Sequence, residues 1–342
     1  MKAIVYGTTG GPEVLRLVDR PVPEPGPGEV RVRVHVSGVN PTDWKRRRGL
    51  SEPLPEGIEQ VPNQDGSGRI DAVGEGVDPG RIGQRVWLYE AAYRRPHGGT
   101  AQQWTTIPEA RAVPLPDGAS YELGASLGVP ALTAHRALTL AAGGPARLAP
   151  GALAGATVLV AGGAGAVGHM AIQLAGWAGA QVIATVSSPE KAALARAAGA
   201  DHVVDYRAQD AARAIREVAP DGVDLVVEVA PAVNAVLDIA VLKNNGTVAY
   251  YANEGGDALT LPVREVFSRN LDWHGLLLYT LPPEAKANGV AAVSEAVASG
   301  VLRVGEEAGL PLHRYPLERS AEAHAAVERR VVGKVLIDLP AE

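Results

Sequence analysis

Between Leu148 and Pro189 the chain carries no Asp, Glu, Lys or Arg, and glycines at 162, 163, 165 and 168 break into that stretch. An uncharged run of such length first suggests a membrane helix. Its content argues otherwise: Gly and Ala dominate, and His169, Gln173 and Gln181 add polarity. A buried strand, a turn, a helix packed on a sheet and a second buried strand account for the missing charge without a bilayer. The turn itself reads Gly163-Ala164-Gly165-Ala166-Val167-Gly168, a GxGxxG string. It follows the apolar run Thr157–Ala161 and opens a helical pattern, which is the context such a string needs to carry meaning. Glycines there permit a tight turn and close approach of backbone to a pyrophosphate, and the free N–H groups of the helix start face the anion. The bland alternative is a structural turn with no ligand.

The end of the second strand chooses between the two nicotinamide dinucleotides. An NAD site usually places Asp or Glu there, about twenty residues on, to bond the ribose 2′-hydroxyl. This chain has Thr185-Val186-Ser187-Ser188-Pro189-Glu190-Lys191. Ser187, Ser188 and Lys191 offer hydroxyls and a cation to a 2′-phosphate, which favours NADPH. Ser188, Pro189 and Glu190 also read as an ordinary helix start, and the two roles are compatible. Glu190 is the residue that argues against NADPH.

Strands and helices alternate from Gly155 to Leu278. Thr157–Ala161, Gln181–Val186, His202–Tyr206, Val223–Val229, Gly246–Ala252 and Trp273–Leu278 read as six strands of a doubly wound parallel sheet. Before this region the chain is strand and turn: Val30, Val32, Val34 and Val36 alternate with polar residues, and Gly and Pro punctuate the rest. With 342 residues, two domains are expected. After Leu278 come a helix (Ala285–Ser299), a strand near Leu312–Tyr315, a helix (Ser320–Arg329) and a last strand, Lys334–Leu339.

Composition removes several functions. There is no cysteine, so disulfides, thiolate metal sites and a cysteine nucleophile are excluded. A net charge of -6 with only 4% aromatic residues does not suit a nucleic-acid binder. Met1 leads straight into an alternating strand pattern without signal-peptide architecture, and a cytoplasmic protein without membrane spans is expected.

The chain resembles the zinc-free quinone oxidoreductase (zeta-crystallin-like) branch of the medium-chain dehydrogenase/reductase superfamily. Carrying the resemblance are Gly10-Gly11-Pro12-Glu13-Val14-Leu15, Gly38-Val39-Asn40-Pro41-Thr42-Asp43, the glycine turn with Gln173, Gly199-Ala200-Asp201 with Tyr206, and Gly333-Lys334-Val335. Ala166 departs from a usual glycine, and Gly176 from a usual Lys, Arg or Ser. The resemblance implies a GroES-like β-rich catalytic domain over 1–125 and 280–342 and a Rossmann domain over 126–279, with NADPH in the cleft between. Zinc alcohol dehydrogenases carry Cys where Asn40 lies and His-Glu where Gln64-Asp65 lies, while Gly68, Gly74 and Val77 keep that signature's spacing. The implied protein therefore works without metal, on an acceptor already electrophilic: a quinone, or an α,β-unsaturated carbonyl. Implied at the nicotinamide end are Asn40 to Lys45 and Thr133. Lys191 and Tyr206 would hold the 2′-phosphate, Tyr251 to Asn253 would line the cofactor, and Leu276 and Lys334 are further contacts. Lys45 stands where tyrosine is common.

Asn40 is the principal catalytic candidate, because its amide can donate to an oxygen that gains negative charge during hydride transfer; it also suits a turn before Pro41. Asp43 either orients that loop or caps a helix starting at Trp44, and capping is the favoured reading. Gln64 is assigned to hydrogen bonding in the former zinc pocket, or to tying loops. Lys45-Arg46-Arg47-Arg48 reads as a solvated helix face and His97 as a surface loop residue, while Trp44, Tyr89, Tyr93 and Tyr279 could wall an acceptor pocket or simply pack. The function expected is NADPH:quinone reduction. Its alternatives are reduction of 2-alkenals or enoyl thioesters and, from another class, a cofactor-binding non-enzyme. The apolar edge strand Trp273–Leu278 points to a homodimer.

Overall fold

The computed structural model describes residues 1–340 apart from 52 and 55. The chain divides into two compact units, Met1–Val129 with Leu312–Glu342, and Pro130–Pro311.

In the first unit, Lys2–Val5 and Arg16–Asp19 pair antiparallel, and a larger seven-stranded sheet carries the core. Its path runs Leu312–Pro316, Lys334–Asp338, Glu29–Val39, Asp65–Val73, Arg85–Leu88 and Ala112–Pro114; Trp104–Pro108 pairs beside Glu29–Val39. The valine alternation does what period-two patterning dictates: Val30, Val32, Val34 and Val36 are all buried in the core. Register matters for the site. Gly38 lies opposite both Leu336 and Asp65, and Val39 lies opposite Val335. Three neighbouring strands therefore bring Asn40, Asp65 and Lys334 to one place, although they are far apart in sequence. Asn40 then opens the helix Pro41–Arg47.

The second unit is a parallel six-stranded sheet in the order His202–Asp205, Gln181–Val186, Thr157–Ala161, Val223–Glu228, Leu242–Tyr250, Asp272–Gly275. Strand order reverses on either side of Thr157–Ala161, the crevice where such sheets bind ligands. The charge-free stretch is explained by burial: Gly168 through Ala175 of the helix Ala166–Trp177 and Val182 through Val186 of the next strand are inaccessible. Among the described residues no helix is long and apolar enough to cross a membrane.

Two boundaries differ from expectation. The last strand of this sheet ends at Gly275, because Leu278–Thr280 turns into a 3-10 helix. The helix Pro283–Ala298, expected with the C-terminal part of the β-rich unit, belongs to the second unit. Its Gly289 lies so close to the helix Gly128–Leu138 that a Cβ there would stand 3.2 Å from Leu132 Cδ2 and 3.3 Å from His135 Nδ1. Arg147 pairs with Glu295 at 2.5 Å. Farther along, the Ala308 carbonyl is bonded to His169 Nε2 at 2.8 Å, and Gln173 holds the Arg303 backbone through both ends of its amide. His169 and Gln173 thus fasten the segment 283–309 to the nucleotide-type sheet.

Candidate functional site

In the second unit the glycines of the turn between Thr157–Ala161 and Ala166–Trp177 do not all answer the same demand. Gly162 has φ of +69°, a left-handed conformation that disfavours side chains. Gly163 and Gly168 are required by packing. A Cβ on Gly163 would lie 2.8 Å from the Ala184 Cβ, and one on Gly168 would lie 2.4 Å from the Gly162 carbonyl. Gly165 fits neither case. Its φ of -81° and ψ of 161° are open to any residue, and a Cβ there would meet only the Gly162 oxygen, at 3.3 Å. Ala164 is buried under the turn, while Ala166 and Val167 are half-buried in the first helical turn.

At the end of Gln181–Val186, Lys191 Nζ donates to Ser187 Oγ at 2.8 Å, and Ser188 Oγ accepts from the Lys191 N–H at 3.3 Å as the cap of Pro189–Ala197. The Glu190 carboxyl accepts a hydrogen bond from Ser188, which holds it below its ordinary pKa. Tyr206 bonds the Val186 carbonyl through its N–H at 3.1 Å and leaves its ring exposed. Ser187, Ser188, Lys191 and Tyr206 therefore do meet at one strand end. Tyr251 follows the strand Leu242–Tyr250, and burial pushes its hydroxyl pKa up. Asn253 is bonded to Asp257; Leu276 and Thr133 are buried.

One feature of this unit was missed in the sequence. Glu228 ends its strand buried, accepting from the Ala230 N–H at 2.5 Å and from Asn234 Nδ2 at 3.1 Å. It lies beside Asp238, also buried, and burial pushes both carboxyls up. Glu228 holds the loop starting at Val229, whose Cγ1 would lie 3.4 Å from a Cβ on Gly162. The available signal was an acid, Glu228, at the end of the apolar run Leu225–Val227.

In the first unit a buried polar cluster gathers around Asn40. Its Nδ2 donates to Asp65 Oδ2 at 2.7 Å, and its Oδ1 accepts from Lys334 Nζ at 2.6 Å. Lys334 and Asp65 also form an ion pair at 3.8 Å. Asp65 receives the Val129 N–H on both oxygens, at 2.9 and 3.0 Å. Gly128 is obligatory there, because a Cβ would fall 2.1 Å from Asp65 Oδ1. Asp43 does not cap a helix starting at Trp44: the helix begins at Pro41 with Asn40 as its N-cap, and Asp43, one turn in, accepts from the Asn40 N–H at 2.7 Å as the second half of a capping box. Burial pushes the Asp43 carboxyl up to about 8 and that of Asp65 to about 6, the Lys334 charge opposing the latter. Burial also lowers Lys334, against the pull of Asp65.

Gln64 is buried beside this cluster, and its Oε1 has no hydrogen-bond partner among the described residues. It lines a small polar cavity with Tyr6, Asp43, Arg46, Gln60 and Asn63. Lys334, expected to contact the cofactor, is instead inaccessible, its ammonium directed at Asn40 and Asp65. The run Lys45–Arg48 is not uniformly solvated: Arg47 is fully buried, bonded to the Gly10 carbonyl at 2.6 Å and to Glu328 at 2.8 Å. A half-buried carboxylate partner, Glu328 on another helix, overrides the pattern. Lys45 sits over the Trp44 ring at 5.9 Å. Tyr89 packs with Trp87, and His97 is exposed and bonded to Arg20.

A β-rich unit joined to a six-stranded parallel sheet with a glycine turn at its crossover point defines a two-domain dehydrogenase. Family models agree: residues 26–117 match the alcohol dehydrogenase GroES-like domain, and residues 166–295 match the zinc-binding dehydrogenase domain. The quinone oxidoreductase of Pseudomonas aeruginosa is 31% identical, over 98% of this chain and 99% of its own length. Among solved structures, a mycobacterial protein complexed with NADPH is 31% identical with a TM-score of 0.81, covering 99% of this chain and 100% of that one. A structure described as an NAD-dependent alcohol dehydrogenase is 33% identical with a TM-score of 0.83 and the same coverage. The chain belongs to the quinone oxidoreductase branch of the medium-chain dehydrogenase/reductase superfamily.

Proposed function

We propose that the protein is a zinc-independent NADPH:quinone reductase. The observation that carries the dinucleotide is Gly165, an exposed glycine that the backbone conformation does not demand and where a Cβ would press on one atom only, the Gly162 oxygen at 3.3 Å. Close approach of a pyrophosphate to the backbone explains it, with Gly163 to Gly168 as the cradle. The absence of an acid at the strand end, together with the Lys191–Ser187 pair and the exposed Tyr206 ring, supports NADPH over NADH. Ser187, Ser188, Lys191 and Tyr206 would hold the 2′-phosphate, while Tyr251, Asn253, Leu276, Thr133 and Lys45 are further contacts in this reading. Lys191→Ala should raise the Kd for NADPH by roughly 10-fold or more, the scale of one charged hydrogen bond, and leave that for NADH within about twofold. Equal losses for both cofactors, measured by fluorescence titration, would contradict the assignment.

When bound, NADPH supplies a hydride to the acceptor. Catalysis by the chain then consists of positioning and of stabilising the oxygen that becomes negative, with Asn40 as donor and Asp43 holding the Asn40 loop. Gln64 is assigned to the acceptor pocket. The Asn40 cluster does not suit zinc. Zinc prefers thiolate, imidazole or carboxylate ligands, whereas Asn40 offers a neutral amide with an ammonium 2.6 Å from its oxygen. A chelator such as EDTA should leave turnover unchanged within error; its loss, with recovery on adding zinc, would refute metal independence. The deciding assay sets 1,4-quinones beside 2-alkenals and enoyl thioesters under NADPH. Turnover of the alkenes with no quinone reduced would replace the proposed acceptor.

A homodimer goes with this reading, as does a cytoplasmic setting where NADPH is produced. Leu277, just past the edge strand Asp272–Gly275, is exposed, as are Val263 and Phe267 on the helix Val263–Ser268 that precedes it, and an apolar edge of this kind calls for a cover. A monomeric mass by light scattering at micromolar concentration would refute it.

A further inference from the structure

We propose that Lys334 and Asp65 are positioning residues that fix which way the Asn40 amide faces, so that the second Nδ2 hydrogen is the one offered to the acceptor oxygen. This rests on the oxyanion role given to Asn40 above. An asparagine side chain can turn its two ends over with little change in shape, and only its neighbours decide between them. Here the neighbours leave no choice. Lys334 Nζ has donors and no acceptor, and it stands 2.6 Å from Oδ1; the Asp65 carboxylate, acceptor-only when ionised, stands 2.7 Å from Nδ2. Turning the amide over would set its NH2 against an ammonium and its carbonyl against a carboxylate.

The lock is itself held in place. Both Asp65 oxygens accept the Val129 N–H, the Asp65 carbonyl accepts from Thr100 Oγ1 at 2.5 Å, and Gly128 closes over the carboxylate. Lys334 and Asp65 are almost wholly inaccessible, so solvent screens neither charge. A cation on the amide oxygen also draws electron density toward it and makes the N–H groups better donors. Of the two Nδ2 hydrogens, Asp65 takes one. Asp65 is the acceptor seen for Nδ2 among the described residues, which leaves the other hydrogen of this buried amide for the acceptor oxygen.

The test compares Lys334→Met, Lys334→Arg and the charge-removing double variant Lys334→Met/Asp65→Asn. Two readouts are used: the Asn40 side-chain NH2 resonances by nitrogen-15 NMR in the unliganded protein, and kcat for 1,4-quinone with the Kd for NADPH. The native NH2 pair should be widely split, since one hydrogen is bonded to a carboxylate. Lys334→Met and the double variant should each lower kcat about 100-fold, the scale of losing one oxyanion donor, with the NADPH Kd within about twofold. The double variant should collapse the splitting, Lys334→Met, which keeps the Asp65 carboxylate, should only narrow it, and Lys334→Arg should restore it with part of kcat. If the double variant leaves the splitting intact, or Lys334→Met leaves kcat within about threefold of native, the lock is wrong. A Kd rising in step with the loss of kcat would make Lys334 a cofactor contact instead. Should Lys334→Met alone not fold, the double variant, with neither charge left unpaired, reads the same two quantities. Should the native protein reduce no quinone at all, the functional reading fails, while the NMR splitting still reports on the lock.

Discussion

Gly165→Val is expected to weaken NADPH binding at least 100-fold, the scale of losing a main-chain anion cradle to a steric block, while the protein folds and melts within a few degrees of native. The reasoning separates four glycines that look alike in the sequence. Valine at Gly162 would be strained by its positive φ, and valine at Gly163 or Gly168 would collide with Ala184 or with the Gly162 carbonyl; each of those changes damages the fold itself. At Gly165 the backbone already lies in a region any residue adopts, the residue is exposed, and a Cβ would press on one atom only, the Gly162 oxygen at 3.3 Å, which a shift of a few tenths of an ångström relieves. Isothermal titration beside a thermal melt distinguishes the outcomes. Native affinity in a folded Gly165→Val protein would mean that the turn is structural and that the dinucleotide lies elsewhere.

Asn40→Ala is expected to lower kcat for quinone reduction by about 10²- to 10³-fold, the range found when an oxyanion donor is removed. The KM for NADPH should change little. The fold should survive, because Lys334 Nζ and Asp65 Oδ2 are already 3.8 Å apart and can close on each other when the amide between them is gone. Steady-state kinetics with quinone and NADPH varied separately gives both constants. Parallel losses in kcat and in NADPH affinity would instead make Asn40 part of the cofactor site, and unchanged kcat would remove it from catalysis.

The parts of the molecule legible in the sequence were those whose cause is local. Valine alternation marked Glu29–Val39, and the glycine string marked the crossover turn. The Ser-Ser-Pro sequence marked a helix cap that the structure shows with Lys191 folded back on Ser187. What escaped depends on strand register and on contacts across long sequence distances. Nothing near Lys334 says that an amide 294 positions earlier will accept its hydrogen bond; only the pairing of Val335 with Val39 does so. Arg47 was hidden in the same way, since its run of four cations looks solvated until Glu328 arrives from another helix. Glu228 was overlooked because an acid at the end of a strand that also carries Asp224 looks like a solvated edge, although burying it requires Ala230, Asn234 and Asp238 around it.

The helix Pro283–Ala298 gives the chain a practical seam. A fragment cut after residue 279 would keep all six strands and the glycine turn, yet it would strip the cover from Leu132 and His135. It would also release the loop that His169 and Gln173 hold through Ala308 and Arg303. Such a fragment would present raw apolar surface and aggregate, whereas one spanning 130–311 retains its own lid. For anyone splicing this nucleotide module onto another partner, the sheet ends at Gly275, but the transplantable piece does not end until Pro311.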